Sequence, residues 1–83
     1  MKKTRIQPII IKESQTLKAD GCNSLTIRNQ GESTVFIEDN IGLAPGEEFN
    51  WSNDPDVVID MNLLIRFTGA GTNKALIIKI YVK

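Results

Sequence analysis

The residues that most often carry catalysis are scarce in this chain. It has no histidine and a single cysteine, Cys22, so Ser-His-Asp and Cys-His arrangements are excluded. Acidic residues cluster at 38–39 and again over 54–60, and paired carboxylates can act as acid and base when they line a cleft. Because a chain of 83 residues has little room for such a cleft, we predict no catalytic residues and no enzymatic activity.

Metal and phosphate sites also lack their usual sequence patterns. Asn53, Asp54 and Asp56 do not form the spaced D-x-D-x-D-G loop that binds calcium. The glycines of 69–73 precede a strand rather than a helix, so this segment reads as a hairpin tip and not as a phosphate loop. Cys22 follows Gly21 in a turn and has no base near it in sequence, which indicates a packing thiol. We therefore predict no metal and no cofactor.

Aromatic side chains offer a different chemistry, an apolar platform for a ligand. Trp51 and Tyr81 could present such a platform to a sugar or a base, although the alternation of Phe49 with Trp51 is typical of core packing. Lys79 and Lys83 lie in the same closing segment as Tyr81 and could steer a partner. Trp51, Tyr81, Lys79 and Lys83 are therefore the predicted interaction surface.

The charges balance, with ten Lys and Arg residues against ten Asp and Glu residues. A neutral chain does not favour binding to nucleic acid or to an anionic membrane, which needs a net basic face. The distribution is uneven, because 1–18 and 61–83 are basic while 30–60 holds eight anions and no cation. Two interpretations remain open: opposite charges that meet when the chain folds back, and a dipolar module that docks basic edge to acidic edge.

Alternating β-branched residues separated by turn residues predict the secondary structure. No segment keeps a helical apolar period beyond two turns. The predicted strands cover 6–11, 16–19, 24–29, 34–38, 41–43, 49–51, 57–67 (two strands, or one bent at 60–62) and 75–82. Pro8 marks either an edge strand or the start of a strand, because proline cannot donate to a ladder. Hairpins are predicted over 29–32 and 69–73, and Pro45-Gly46 suits a type II turn.

About seven to eight short antiparallel strands with regularly spaced turns indicate an all-β fold. We predict one small β-sandwich or barrel domain over 1–83, jelly-roll-like or Ig-like. The last strand carries apolar residues on both faces, so it is either central or covered from outside the monomer. It also lacks an interruption like Pro8, which predicts pairing of its edge with a neighbour. The predicted core comprises Leu25, Ile27, Val35, Ile37, Phe49, Ile65, Phe67, Ile78 and Ile80.

A stretch in the first half of the chain carries a family resemblance. An Asn29-Gln30-Gly31 turn follows the alternating run from Asn23, and Leu43-Ala44-Pro45-Gly46-Glu47-Glu48-Phe49 follows 34–37. With these two turns, the segment 22–51 resembles small β-sandwich structural proteins, of the virion or decoration type, from tailed phages and prophages of Bacteroides-like bacteria. The resemblance covers about a third of the chain and implies no catalytic residues.

The resemblance implies a non-enzymatic structural protein, such as a capsid-decoration protein or a head or tail accessory protein. Its partners would be other copies of itself, as a possible homo-oligomer, or larger virion proteins, with no nucleic acid and no membrane. The alternative is a small β-sandwich module that binds carbohydrate or protein. The apolar run 9–11 ends at Lys12 and is too short for a signal-peptide core. We therefore expect synthesis in the cytoplasm of a bacterial host, without signal-directed secretion. The resemblance implies a location in the virion.

Overall fold

The computed structural model describes residues 3–52, 57–69 and 71–82. These residues form eight strands: Thr4–Ile11 (β1), Gln15–Lys18 (β2), Ser24–Asn29 (β3), Val35–Ile37 (β4), Ile41–Leu43 (β5), Glu48–Ser52 (β6), Asn62–Phe67 (β7) and Ala75–Val82 (β8). The predicted all-β class is confirmed. The long apolar stretch 57–67 divides as expected, into an isolated bridge at Ile59 and then β7. Within the described ranges, no helix has the length and hydropathy needed to cross a membrane.

The strands form two antiparallel sheets, ordered β1-β8-β3-β6 and β2-β7-β4-β5. We call them the first sheet and the second sheet. Only β4 and β5 are consecutive strands that pair with each other; every other connection passes from one sheet to the other. This interleaved order is that of a jelly roll, and it matches the jelly-roll alternative of the predicted sandwich.

The predicted hairpins over 29–32 and 69–73 are therefore wrong. The first segment joins β3 to β4 and the second joins β7 to β8, and each pair of strands lies in different sheets. The turn residues were recognised, but a tight turn does not reveal whether the chain returns beside itself or crosses to the opposite layer. The turn at Pro45-Gly46 is confirmed, since Gly46 has φ +88° and the Glu47 N–H donates to the Ala44 carbonyl at 2.9 Å.

The core lies between the two sheets. Of the nine residues predicted for it, Leu25, Ile27, Val35, Ile37, Ile65 and Phe67 are buried, and Phe49 is half-buried against them. Further buried side chains were not predicted for the core: Ile11, Leu17, Ala19, Cys22, Leu43, Ile59, Leu63, Ala75, Ile77 and Tyr81. Both layers thus contribute one face of alternating aliphatic residues, as sandwich packing requires.

The prediction for β8 is wrong about which face points inward. Ile77 is fully buried, whereas Ile78 and Ile80 are half-buried on the outer face. Successive side chains of a strand point to opposite faces, so a strand that is apolar on both faces can be assigned either way from its pattern. β8 is also an internal strand, paired with β1 on one side and β3 on the other. Its predicted free edge does not exist.

One end of the sandwich is organised around the buried side chain of Asn29. Its amide nitrogen donates to the Ser33 carbonyl at 2.7 Å and the Leu43 carbonyl at 2.9 Å, and its oxygen accepts from the Gly31 N–H at 3.0 Å. A Cβ on Gly31 would clash with the Thr72 carbonyl oxygen, so only glycine fits there. The N-x-G turn therefore docks the β3–β4 connection against the β7–β8 connection.

Candidate interaction surface

Three of the four residues predicted as an interaction surface are described by the structure, and these three do not form an exposed surface. Lys79 and Tyr81 lie on the inner face of β8 and are only 4% and 7% exposed. Trp51 pairs with Leu25 across β3 and β6 and packs half-buried against the core. Lys83 lies outside the described residues. The inversion of β8 explains the error for Lys79 and Tyr81, because both were placed on the outer face by the same assumption that placed Ile78 and Ile80 inside.

Lys79 is unusual because it is a buried cation on the inner face of β8. It pairs with Leu25 of β3, and its Nζ lies 3.7 Å from Oδ2 of Asp20, an exposed carboxylate in the β2–β3 connection. The Lys79 side chain is only 5% exposed and that of Asp20 is 59% exposed, so the methylene stem is buried and the ammonium lies near a solvated carboxylate. At 3.7 Å the pair is long, so Lys79 is better described as a packed stem than as a strong ion pair.

Cys22 and Tyr81 lie close to this lysine. Burial raises the pKa of the Cys22 thiol, and the nearby Lys79 charge only partly opposes that rise. Burial also raises the pKa of Tyr81, with smaller contributions from Cys22 and Asp20. The Tyr81 hydroxyl donates to Gln7 Oε1 at 3.3 Å. Both groups are therefore neutral at physiological pH, and Cys22 has the environment of the packing thiol predicted from sequence.

The first sheet has an apolar surface that faces away from the core. In the β1–β8 ladder, Ile6 pairs with Ile80, Pro8 with Ile78, and Ile10 with Leu76, and residues directly opposite share a face. Ile6 is 62% exposed and Ile10 is 54% exposed. We call this surface the β1–β8 strip; its members are Ile6, Pro8, Ile10, Leu76, Ile78, Ile80 and Val82.

The other half of the same outer face, formed by β3 and β6, is polar. The outward residues of β3 are Ser24, Thr26 and Arg28, and they pair with Ser52, Asn50 and Glu48 of β6. Thr26 Oγ1 donates to Asn50 Oδ1 at 2.8 Å. Seven apolar residues thus lie side by side on two strands, next to two strands that carry only polar ones. Single exposed aliphatic residues are ordinary, so a contiguous group of this kind is the strongest candidate surface among the described residues.

A shallow depression of about 310 Å³ lies at the Asn29 end, lined by Arg28, Asn29, Gln30, Gly31 and Gly46. Its backbone N–H groups are already engaged: Asn29 donates to Glu47, Gln30 to Lys74, and Gly46 to Asn29. The depression has few free donors for a ligand, and Arg28 is its only charged residue. It is a weaker candidate than the strip.

No other described cluster offers chemistry. Among residues 3–52, 57–69 and 71–82, no three His, Cys, Asp or Glu side chains are placed to hold a metal ion. The calcium alternative at Asn53, Asp54 and Asp56 lies outside the described residues. The uneven charges meet in part across the fold, since Arg66 Nε lies 2.7 Å from Asp39 Oδ1. That pair joins the basic end of the chain to its acidic middle, as the first interpretation of the charge pattern expects.

The strip was only partly recognised from sequence. The two-sided apolar pattern of the last strand was noted and interpreted as either a central strand or an externally covered one, and the structure makes β8 central. The contribution of β1 was missed. The signal was present in Ile6-Gln7-Pro8-Ile9-Ile10-Ile11, where Ile6, Pro8 and Ile10 share one face while Ile9 and Ile11 share the other.

No protein-family model matches the chain, and no curated protein is similar to it in sequence. Among solved structures, it is similar to a de novo designed double-stranded β-helix determined by solution NMR. The two share 16% sequence identity with a TM-score of 0.46, over 95% of this chain and 99% of the designed one. A likeness at this level carries no information about function.

Proposed function

We propose that this chain is a non-enzymatic structural protein that assembles with other protein surfaces, as a small component of a phage-type virus particle. A capsid-decoration, head-accessory or tail-accessory role agrees with the sequence resemblance. The observation that carries the proposal is the β1–β8 strip, an uncharged aliphatic surface on a domain whose core is already complete between its two sheets.

The strip supports an assembly role because its exposure is costly in a lone domain. Each buried methylene is worth about 0.8 kcal/mol, and Ile6 and Ile10 leave more than half of their side chains in water. A small domain also gains stability from any contact made only by its folded form. An assembly partner that covers the strip would recover this free energy, whereas a domain that works alone gains nothing from exposing it.

The carbohydrate-binding alternative loses support from the same structure. Stacking on a sugar needs an exposed aromatic face, yet Tyr81 is buried and Trp51 packs against the core. The depression at the Asn29 end has no aromatic residue in its lining. The strip itself is aliphatic and offers no side-chain hydrogen-bonding group to a sugar hydroxyl, so it favours a protein surface over a glycan.

The test is whether the chain is part of a particle. Particles released from bacteria that encode it, after induction, are purified on a density gradient and their proteins identified by mass spectrometry. We expect the chain to sediment with the particles at many copies per particle. A chain found only in the soluble fraction of a particle-positive lysate would contradict the proposal.

A matched pair of variants then asks whether the strip makes the contact. Ile10→Lys places a charge within the strip, while Leu64→Lys makes the same change on the outer face of the second sheet, where Leu64 is 39% exposed. Both sites are exposed, so both variants retain the core. Loss of Ile10→Lys from particles, with retention of Leu64→Lys, is the expected result.

A further inference from the structure

We propose that a second copy of this chain covers the β1–β8 strip, in a twofold dimer that packs the two first sheets face to face. The inference deepens the proposed function, which requires only that some protein covers the strip.

The route of association follows from the sheet edges. β8 is internal, so the edge-to-edge pairing expected for it cannot occur. The free edge beside it belongs to β1, and Pro8 interrupts that edge because it has no N–H to donate to an added strand. In the second sheet the edge strands β2 and β5 have only four and three residues. The remaining edge strand, β6, has only five residues and belongs to the polar half of the first sheet, away from the strip. Stacking through the apolar face is therefore favoured over extension of a sheet.

The chemistry of the strip matches a copy of itself. Its centre consists of Pro8, Ile10, Ile78 and Ile80 and contains no charged or hydrogen-bonding side chain. A charged partner surface would leave its own polar groups unpaired against it. The strip of a second copy has no polar side chains at its centre to leave unpaired. In a twofold dimer the partner is the same chain, so it is always present at the same concentration.

The charges also permit self-association. The polar half of the face carries one cation and one anion, Arg28 and Glu48, in directly paired positions. Such a rim is neutral, so two copies bring no excess of like charge together. The chain as a whole has a formal net charge of zero, which removes the long-range repulsion that keeps highly charged proteins apart.

The available area predicts a weak dimer. Strands rise about 3.3 Å per residue and lie about 4.8 Å apart, so the outer face of the first sheet spans roughly 430 Å² in projection. The strip makes up more than half of it, because β1 and β8 have eight residues each. Side-chain relief raises the accessible area above this projection, toward the ~600 Å² that each partner contributes to a weak interface. A dissociation constant on the order of 10–100 μM is expected.

Sedimentation velocity of the full chain, from about 10 μM to about 1 mM, measures this equilibrium. The test variant is the double substitution Ile6→Ser/Ile10→Ser. Its matched control is Val57→Ser/Val58→Ser, which removes two aliphatic side chains, 51% and 52% exposed, from a segment outside both sheets. Because each substitution counts twice in a twofold dimer, the test variant raises the dissociation constant about 100-fold, while the control leaves it unchanged within about threefold.

A second measurement needs no variant. In two-dimensional NMR of the wild-type chain, amide shifts that depend on concentration should map to β1 and β8, with smaller changes on β3. Shifts confined to β6 or to the second sheet would overturn the assignment. A chain that stays monomeric to about 1 mM, or a dimer that survives Ile6→Ser/Ile10→Ser, would also overturn it.

The two proposals fail separately. A monomeric chain that still enters particles through the strip would refute the dimer and leave the structural role standing. A dimer that forms in solution but is absent from every particle would refute the structural role and leave the dimer standing.

Discussion

Ile77 and Ile78 are neighbours in sequence but lie on opposite faces of β8, so a pair of alanine substitutions tests the orientation of that strand. Ile77 is 0% exposed and packs between the sheets. Ile78 is half-buried on the outer face, where it pairs with Pro8 and with Thr26. If the strand is oriented as described, the two substitutions have unequal effects on the free energy of unfolding.

The magnitudes follow from the burial of each side chain. Ile→Ala removes three carbon groups, each worth about 0.8 kcal/mol when fully buried, and Ile77→Ala also leaves a cavity that the surrounding sheets cannot close. We expect Ile77→Ala to cost about 3–4 kcal/mol. Ile78→Ala leaves a gap that water can fill, so no cavity remains. Its cost is then only the hydrophobic free energy of the removed carbon groups, about 1–2 kcal/mol. A domain of this size has roughly 4–12 kcal/mol in total, so the difference is measurable.

Equilibrium urea unfolding, followed by the fluorescence of Trp51, gives both values. The protein is kept at about 1 μM, well below the expected dimer dissociation constant, so that loss of the strip contact does not add to the effect of Ile78→Ala. Ile27→Ala, at a fully buried site on β3, serves as a positive control with a cost similar to that of Ile77→Ala. The orientation of β8 is refuted if Ile78→Ala costs as much as Ile77→Ala, or more.

Three further predictions concern the polar and ionisable groups. Because Cys22 is fully buried and its pKa is raised above its ordinary 9.0, a thiol reagent at pH 8 should react at least about 100-fold more slowly with native than with urea-unfolded chain; equal rates would contradict this. The Thr72 hydroxyl and N–H lower the pKa of Glu32 below 4.5. Its contribution to stability is present above pH 4.5 and lost as the pH falls through the lowered pKa. Glu32→Gln should therefore lower the thermal midpoint at pH 7, and the difference from wild type should shrink as the pH falls below 4.5; equal midpoints at pH 7 would argue against it. Since the Lys79–Asp20 pair is long, Lys79→Met should change the unfolding free energy by less than about 1 kcal/mol or raise it. Lys79→Ala, which also removes the packed stem, should cost about 2–3 kcal/mol. If urea unfolding gives Lys79→Met the larger cost, the packed-stem description is refuted.

Much of the secondary structure could be predicted because its signals are local. β3 and β8 have the predicted bounds, and β1, β2, β4 and β6 differ by at most two residues at either end. Alternation works at β3 because Leu25 and Ile27 are apolar while Thr26 and Arg28 are not, so the pattern has only one sensible orientation. The type II turn at Pro45-Gly46 was similarly determined by two residues whose backbone preferences are strong.

The candidate surface was predicted less well because it depends on pairing between distant segments. The strip joins β1, near the start of the described chain, to β8, near its end. No local sequence pattern predicts that these two strands pair. Lys79 was placed outside because the core was assigned to Ile78 and Ile80, and neighbouring side chains of a strand point to opposite faces. Its long stem and the adjacent Asp20 let it lie inside instead, which only the packed structure could show.

By itself, the sequence determined the all-β class, most strand bounds and the neutral charge balance, since each depends on residue type and short-range spacing. The tertiary structure decided which strands pair, which connections cross between sheets and which face of β8 is inside. The physical reason is that alternation states only that neighbouring side chains point apart. In β8 both sets are apolar, as Ile77 and Ile78 show. Packing against the second sheet decides which set points inward, and the other set forms the outer surface that is available to a partner.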